Sequence, residues 1–198
     1  MDDPRIEANE RLTATTATVL LALLAVEGFT VLSIGQLLSL HIIVGLLLIP
    51  PVALKLASIG YRFLRYYTGD AGFVAKGPPH LIMRLLAPLL VVSTVVLFGT
   101  GVALLTLGPH RHRDLILGLH KASFIAWLVV TGIHVLVYAP RLPRAVLARH
   151  AWSRISLVAA SLAAGAMLAG GAYSFAGPWL HNRGGDDRHE GITASVFA

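Results

Sequence analysis

The sequence predicts an all-α integral membrane protein, a bundle of five transmembrane helices. Three observations carry the prediction. Hydrophobic residues fill 56% of the 198 positions and charged residues only 13%, with a mean hydropathy of +0.72, too apolar for a water-soluble surface. The apolar residues gather into five runs, each close to or above the roughly 20 residues that cross a hydrocarbon core. The basic residues stand at the ends of those runs, where lipid headgroups begin.

The first run, Leu12–Leu32, follows Asp2, Asp3, Glu7 and Glu10. It lacks the basic start and small-residue cleavage site of a signal peptide, so it is expected to be retained. The second, Leu37–Ala57, contains Pro50-Pro51, which should kink it. Ser58–Pro79 is long for a simple connection. Its Tyr61-Arg62-Phe63-Leu64-Arg65-Tyr66-Tyr67 stretch suits a short separate helix lying in the headgroup region. Gly77-Pro78-Pro79 then opens the third run, Leu81–Leu107, and the fourth is Leu115–Tyr138. The fifth, Ile155–Phe175, carries Ala163, Gly165, Gly170 and Gly171, small residues that permit close helix contact. Residues 1–180 read as one transmembrane domain and 181–198 as a polar C-terminal tail.

Charge sets the expected orientation. One side carries Arg5, Arg11, Lys55, Arg62, Arg65, Lys76, Arg84, Arg141, Arg144, Arg149 and Arg154; the other carries Arg111, Arg113, Lys121, Arg183 and Arg188. That asymmetry puts the N-terminus inside and the C-terminus outside a cytoplasmic (inner) cell membrane. The net charge of +6 borders apolar segments, so it fits anionic lipid and not nucleic acid.

A faint repeat runs through the first four helices. Arg11, Gly28, His41 and Lys55 match Arg84, Gly101, His120 and His134, with seventeen residues from Arg to Gly and fourteen from His to its follower in both copies. The second copy has six more residues between Gly and His, filled by the polar loop from His110 to Asp114. The repeat predicts a pseudo-symmetric four-helix bundle with the fifth helix as an addition.

The histidines suggest the chemistry. His120 and His134 turn through about 1400°, roughly 40° short of four turns, so they share a helix face and stand roughly 21 Å apart along the axis. One imidazole therefore lies near each side of a core about 30 Å thick. Two imidazoles stacked in this way suit two haems. His41 and His120 begin helices that run in the same direction, so they should lie at similar depth near the outer surface. Facing imidazoles whose nitrogens stand about 4 Å apart would bracket one iron, given metal–nitrogen bonds near 2 Å. There is no cysteine, which excludes disulfides, cysteine-ligated clusters and covalent c-type attachment.

The inner partner of His134 is open. Lys55 holds the repeat-equivalent position and is no usual ligand while protonated. His80 is on the correct side but shallow, and Met83, one turn deeper, is the fallback. With no inner partner, His134 is a hydrogen-bonded core residue and the chain carries one haem. Lys55 and Arg84 at the inner end, and Arg111, Arg113 and Lys121 at the outer, are candidates for the haem propionates; each also reads as a snorkelling residue that sets topology. Glu27, the carboxylate inside an apolar span, is a candidate to accept from a ligand imidazole, to take a proton during quinol oxidation, or to pack as a neutral acid. No residue reads as catalytic.

Leu40-His41-Ile-Ile-Val-Gly45 and the run from Leu119-His120 to Gly132-Ile-His134 resemble the helical membrane b-type cytochromes. That group includes the hydrogenase- and formate-dehydrogenase-type cytochrome b subunits and the ferric-reductase-like proteins. The resemblance covers roughly residues 11–140. It implies haem b, one or two per chain, and electron transfer between a quinone pool and a redox partner subunit, or within a homo-oligomer. Lys55, where a symmetric di-haem protein has a histidine, is the departure. No flavin or nicotinamide motif is present, so an electron-transfer subunit of an oxidoreductase complex is expected over a self-contained enzyme. The alternatives are a haem-free assembly or anchor subunit and a small proton-linked transporter.

Overall fold

The chain is described by a computed structural model covering residues 3–77, 81–107, 113–138 and 155–177. The elements are α1 (Pro4–Leu32), α2 (Ile34–Tyr67), the short α3 (Ala71–Ala75), α4 (Leu81–Leu107), α5 (Arg113–Tyr138) and α6 (Ile155–Ala172), the last extended by a 3-10 turn, Tyr173–Ala176. No strand occurs among the described residues. Among the described residues five helices are long and apolar enough to cross a membrane: α1, α2, α4, α5 and α6 with its turn. A helix satisfies its own backbone polar groups, which a bilayer cannot do.

α1 begins eight residues before its apolar run. Asp3 caps it by accepting from the Arg5 main-chain N–H, and Pro4 occupies the first turn, where its missing N–H costs nothing. Hydrogen bonds from Arg5 hold the Asp3 carboxyl below the usual carboxylate range. Arg5 also reaches Asp70 at 3.2 Å, and Lys76 reaches Glu10 at 2.6 Å. These exposed pairs tie the segment after α2 back onto α1. A hydrogen bond between Thr13 and Ser58 joins the same two helices one step further in.

α2 differs from expectation twice. Beyond Leu37 it runs unbroken to Tyr67, so the aromatic and basic stretch extends α2 and is not a separate interfacial helix. Nothing between Ala57 and Tyr67 stops a helix until Thr68, whose hydroxyl bonds the Leu64 carbonyl at 2.9 Å, and Gly69, with φ of +80°. At 34 residues, α2 is roughly 51 Å long and overshoots the hydrocarbon core. Its non-helical dihedrals fall at Leu37 (φ −107°, ψ 21°) and not at Pro50 or Pro51.

The prolines act on packing. Pro51 has no N–H to give the Leu47 carbonyl four residues earlier. Gly165 of α6 packs against that carbonyl so closely that a Cβ at this position would overlap it. A glycine Cα–H facing the freed carbonyl replaces part of the lost hydrogen bond. α6 is therefore a close partner of α2, not an accessory at the edge of a four-helix bundle.

The close helix pairs are α1 with α2, α2 with α6, and α4 with α5. Leu20, Val44 and Leu48 form one core between α1 and α2, touched by Phe98 of α4. Leu46, Leu105, Ala169 and Ala176 form another, bordered by Ile42, Ile43 and Ala172. This second core places the carboxyl end of α6 beside the start of α2, so α6 runs antiparallel to α2. Exposed leucines and valines such as Leu85, Leu89, Val92 and Val95 line α4, as lipid-facing positions do.

Candidate functional site: a histidine pair between two helical hairpins

The α1–α2 and α4–α5 hairpins each present a histidine to the other. His41 lies near the start of α2 and His120 near the start of α5. Their ring centroids are 6.4 Å apart and their planes cross at 78°. The two helices are not among the closely packed pairs, so the imidazoles meet across a loose seam.

Each ring is held from behind by the other helix of its own hairpin. His41 Nδ1 lies 2.9 Å from Glu27 Oε1 and 3.1 Å from Thr30 Oγ1, both on α1. The Thr30 hydroxyl gives its hydrogen to the Glu27 carbonyl at 2.6 Å, so its oxygen is left to accept. On the other side, His120 Nδ1 lies 3.0 Å from Thr100 Oγ1 of α4. Thr100 gives its hydrogen to the Val96 carbonyl at 2.8 Å, so it also accepts. A proton on Nδ1 of each ring satisfies these acceptors, and it leaves Nε2 of each as the lone-pair nitrogen.

Gly101 makes room for this arrangement. A Cβ there would stand 3.2 Å from His120 Cε1, tighter than an ordinary contact. Glu27 lies against α2 one turn beyond His41, where a Cβ at Gly45 would touch Oε1 at 3.4 Å. The Glu27 and His41 side chains are 15% and 23% exposed, so the carboxylate is largely withdrawn from solvent.

The other candidates lie apart. Lys55 Nζ donates to the Thr13 carbonyl of α1 at 2.6 Å. Arg84 donates to the Tyr67 hydroxyl at 3.1 Å. His134 lies fourteen residues beyond His120 on α5. Midway between them Trp127 donates to Thr94 Oγ1 at 3.0 Å, fastening α5 to α4. Thr131, one turn before His134, has a buried hydroxyl with no hydrogen-bond partner among the described residues. Arg113 and Lys121 are exposed near the start of α5. His80 and Arg111 lie outside the described residues, as does the side chain of Met83.

Thr30, Thr100 and Gly101 were not among the candidates read from the sequence as holding the rings. A threonine on the preceding helix at the depth of each histidine was the available signal. Among the described residues no group of three or more His, Asp or Glu side chains is placed to enclose a bare metal ion. A cavity of about 230 Å³ lined by Arg5, Ala8, Asn9, Leu12 and Tyr61 is at the opposite end of α1 from Glu27. No protein-family model matches the chain, and no curated protein and no solved structure does either. The pair itself brings two imidazoles from separate hairpins together edge to face in an apolar setting.

Proposed function

We propose that this chain is a membrane b-type cytochrome subunit that holds one haem b between His41 and His120 and passes electrons between a quinone pool and a redox partner. One observation carries the reading. Two imidazoles on separate hairpins have Nδ1 committed to acceptors behind them and centroids 6.4 Å apart. An iron between two such rings would call for about 6.2 Å, from metal–nitrogen bonds near 2 Å and about 1.1 Å from each nitrogen to its ring centre. Rings that share the ligand axis can take any mutual twist, so 78° is admissible.

The donor set also fits by chemistry. Nitrogen ligands with their second nitrogen hydrogen-bonded are fixed in tautomer and orientation. The haem, when bound, supplies a one-electron carrier. The chain's own residues set its position. Glu27 and Thr30 orient His41, Thr100 orients His120, and the apolar walls of α2 and α5 exclude water. Arg113 and Lys121, with Arg111, are the propionate partners on this side.

The basic residues at the far end, among them Arg5, Arg11, Arg62, Arg65 and Arg84, put that end in the cytoplasm. The histidine pair then lies near the outer face. An inner haem at His134 rests on His80, because Lys55 is committed to the Thr13 carbonyl.

A haem-free anchoring subunit is the second reading, favoured by the ring pair's edge-to-face geometry, which falls in the 4.5–7 Å range of ordinary ring contacts. The purified protein separates the two. A b-type cytochrome shows sharp reduced-minus-oxidised bands, with one haem per chain for the outer site alone. His41→Ala or His120→Ala should abolish that haem, while His134→Ala should leave it. A wild-type protein without bands after expression with ample haem would leave the anchoring reading.

A further inference from the structure

The two imidazoles are backed by different chemistry. His41 Nδ1 faces a carboxylate oxygen at 2.9 Å and a hydroxyl at 3.1 Å. His120 Nδ1 faces the neutral Thr100 hydroxyl at 3.0 Å, and the Leu97 main-chain carbonyl also bonds this ring. The Glu27 carboxylate is largely withdrawn from solvent and rests against α2 beside Gly45. Its second oxygen lies 3.3 Å from Thr30 Oγ1, so the whole carboxylate sits against the His41–Thr30 contact.

We propose that Glu27 is a positioning residue that makes the axial pair unequal, with His41 a strong, imidazolate-like donor and His120 an ordinary neutral one. The proposal rests on the haem reading above and deepens it by assigning the residue that sets the haem's potential. A hydrogen bond to a carboxylate is about twice as strong as one to a neutral acceptor. It draws the Nδ1 proton away from the ring and raises the basicity of the opposite nitrogen. A more basic ligand and a nearby negative charge both favour the ferric state. The chain thereby holds its haem at a lower potential than a pair of threonine-backed histidines would.

The contribution of the hydrogen bond is separable from that of the charge. Glu27→Gln removes the charge and keeps an acceptor oxygen within reach. Glu27→Asp keeps the charge but withdraws the carboxylate by about one carbon–carbon bond, roughly 1.5 Å, beyond bonding distance of Nδ1. Thr100→Val removes the neutral partner on the other side.

The test is redox titration of the purified full-length protein in detergent, with low-temperature electron paramagnetic resonance of the oxidised haem. The resonance g-values respond to donor strength and to ring orientation and do not depend on activity. Glu27→Gln should favour reduction by about tenfold, equal to about 59 mV for one electron, with shifted g-values. Glu27→Asp should move both in the same direction, and Thr100→Val should move them much less. The proposal is overturned if Glu27→Gln retains haem with unchanged potential and g-values. It is also overturned if Glu27→Asp behaves as wild type, because charge alone would then account for the effect. Should Glu27→Gln fail to hold haem, Glu27→Asp decides by the same criterion. A wild-type protein that binds no haem overturns the haem reading together with this proposal. Haem in the wild type with insensitive Glu27 variants overturns only the unequal pair.

Discussion

The smallest determinant of the site is a missing side chain. His120 can reach Thr100 because Gly101, the next residue on α4, has no Cβ to press on the ring at 3.2 Å. Gly99, two residues earlier on the same helix, faces open space. The two glycines therefore make a controlled comparison. Gly101→Val should push the imidazole off Thr100 and, on the proposed haem reading, weaken haem binding by about 10- to 100-fold, the range seen when an outer-shell partner of a metal ligand is lost. Gly99→Ala should leave binding unchanged. Haem titration of the apoprotein measures both, and equal affinities would show that the ring does not depend on the space at Gly101.

Among the elements, α2 is the one on which the others depend. It carries His41, receives α1 along Val44 and Leu48, and offers its freed Leu47 carbonyl to α6. Gly165 is the contact that sets the α2–α6 distance. Gly165→Ala places a methyl on that carbonyl, a backbone atom with no rotamer to escape into. The expected cost is about 1–3 kcal/mol, the usual penalty for overpacking, read as a lower thermal midpoint in detergent. Gly170→Ala, where a Cβ meets nothing, is the control and should be neutral or slightly stabilising. If the two variants unfold together, the α2–α6 contact is not close in the bilayer.

For the molecule as a whole, the helix order puts the start of α1 and the end of α6 at opposite ends of the bundle. The second core places the carboxyl end of α6 beside Ile42 and Ile43, near the end of α1. The proposed orientation, with the α1 start toward the cytoplasm, follows from the basic residues and is open to test. The chain has no native cysteine, so single introduced thiols report cleanly. Ser195→Cys should react with an impermeant reagent added outside, and Ala71→Cys only after the membrane is opened. The reverse pattern would invert the topology and move the histidine pair to the cytoplasmic side.

The sequence by itself determined that there are five apolar helices and roughly where they end. A run of about 20 apolar residues has no alternative in lipid to bonding its own backbone, so the helix is a local property. The spacing of His41, His120 and His134 was legible for the same reason, since depth follows from residue count. The extension of α2 through Tyr61–Tyr67 was not, because aromatic and basic residues serve a helix that continues as well as one that lies flat. Only the tertiary structure decided which faces meet: Thr30 and Glu27 behind His41, Thr100 behind His120, Lys55 on the Thr13 carbonyl, Gly165 on Leu47. In water an apolar stripe would have marked those faces. In a bilayer the lipid-facing side is as apolar as the buried side, so the rotation of each helix about its axis is set by long-range packing that no local pattern records.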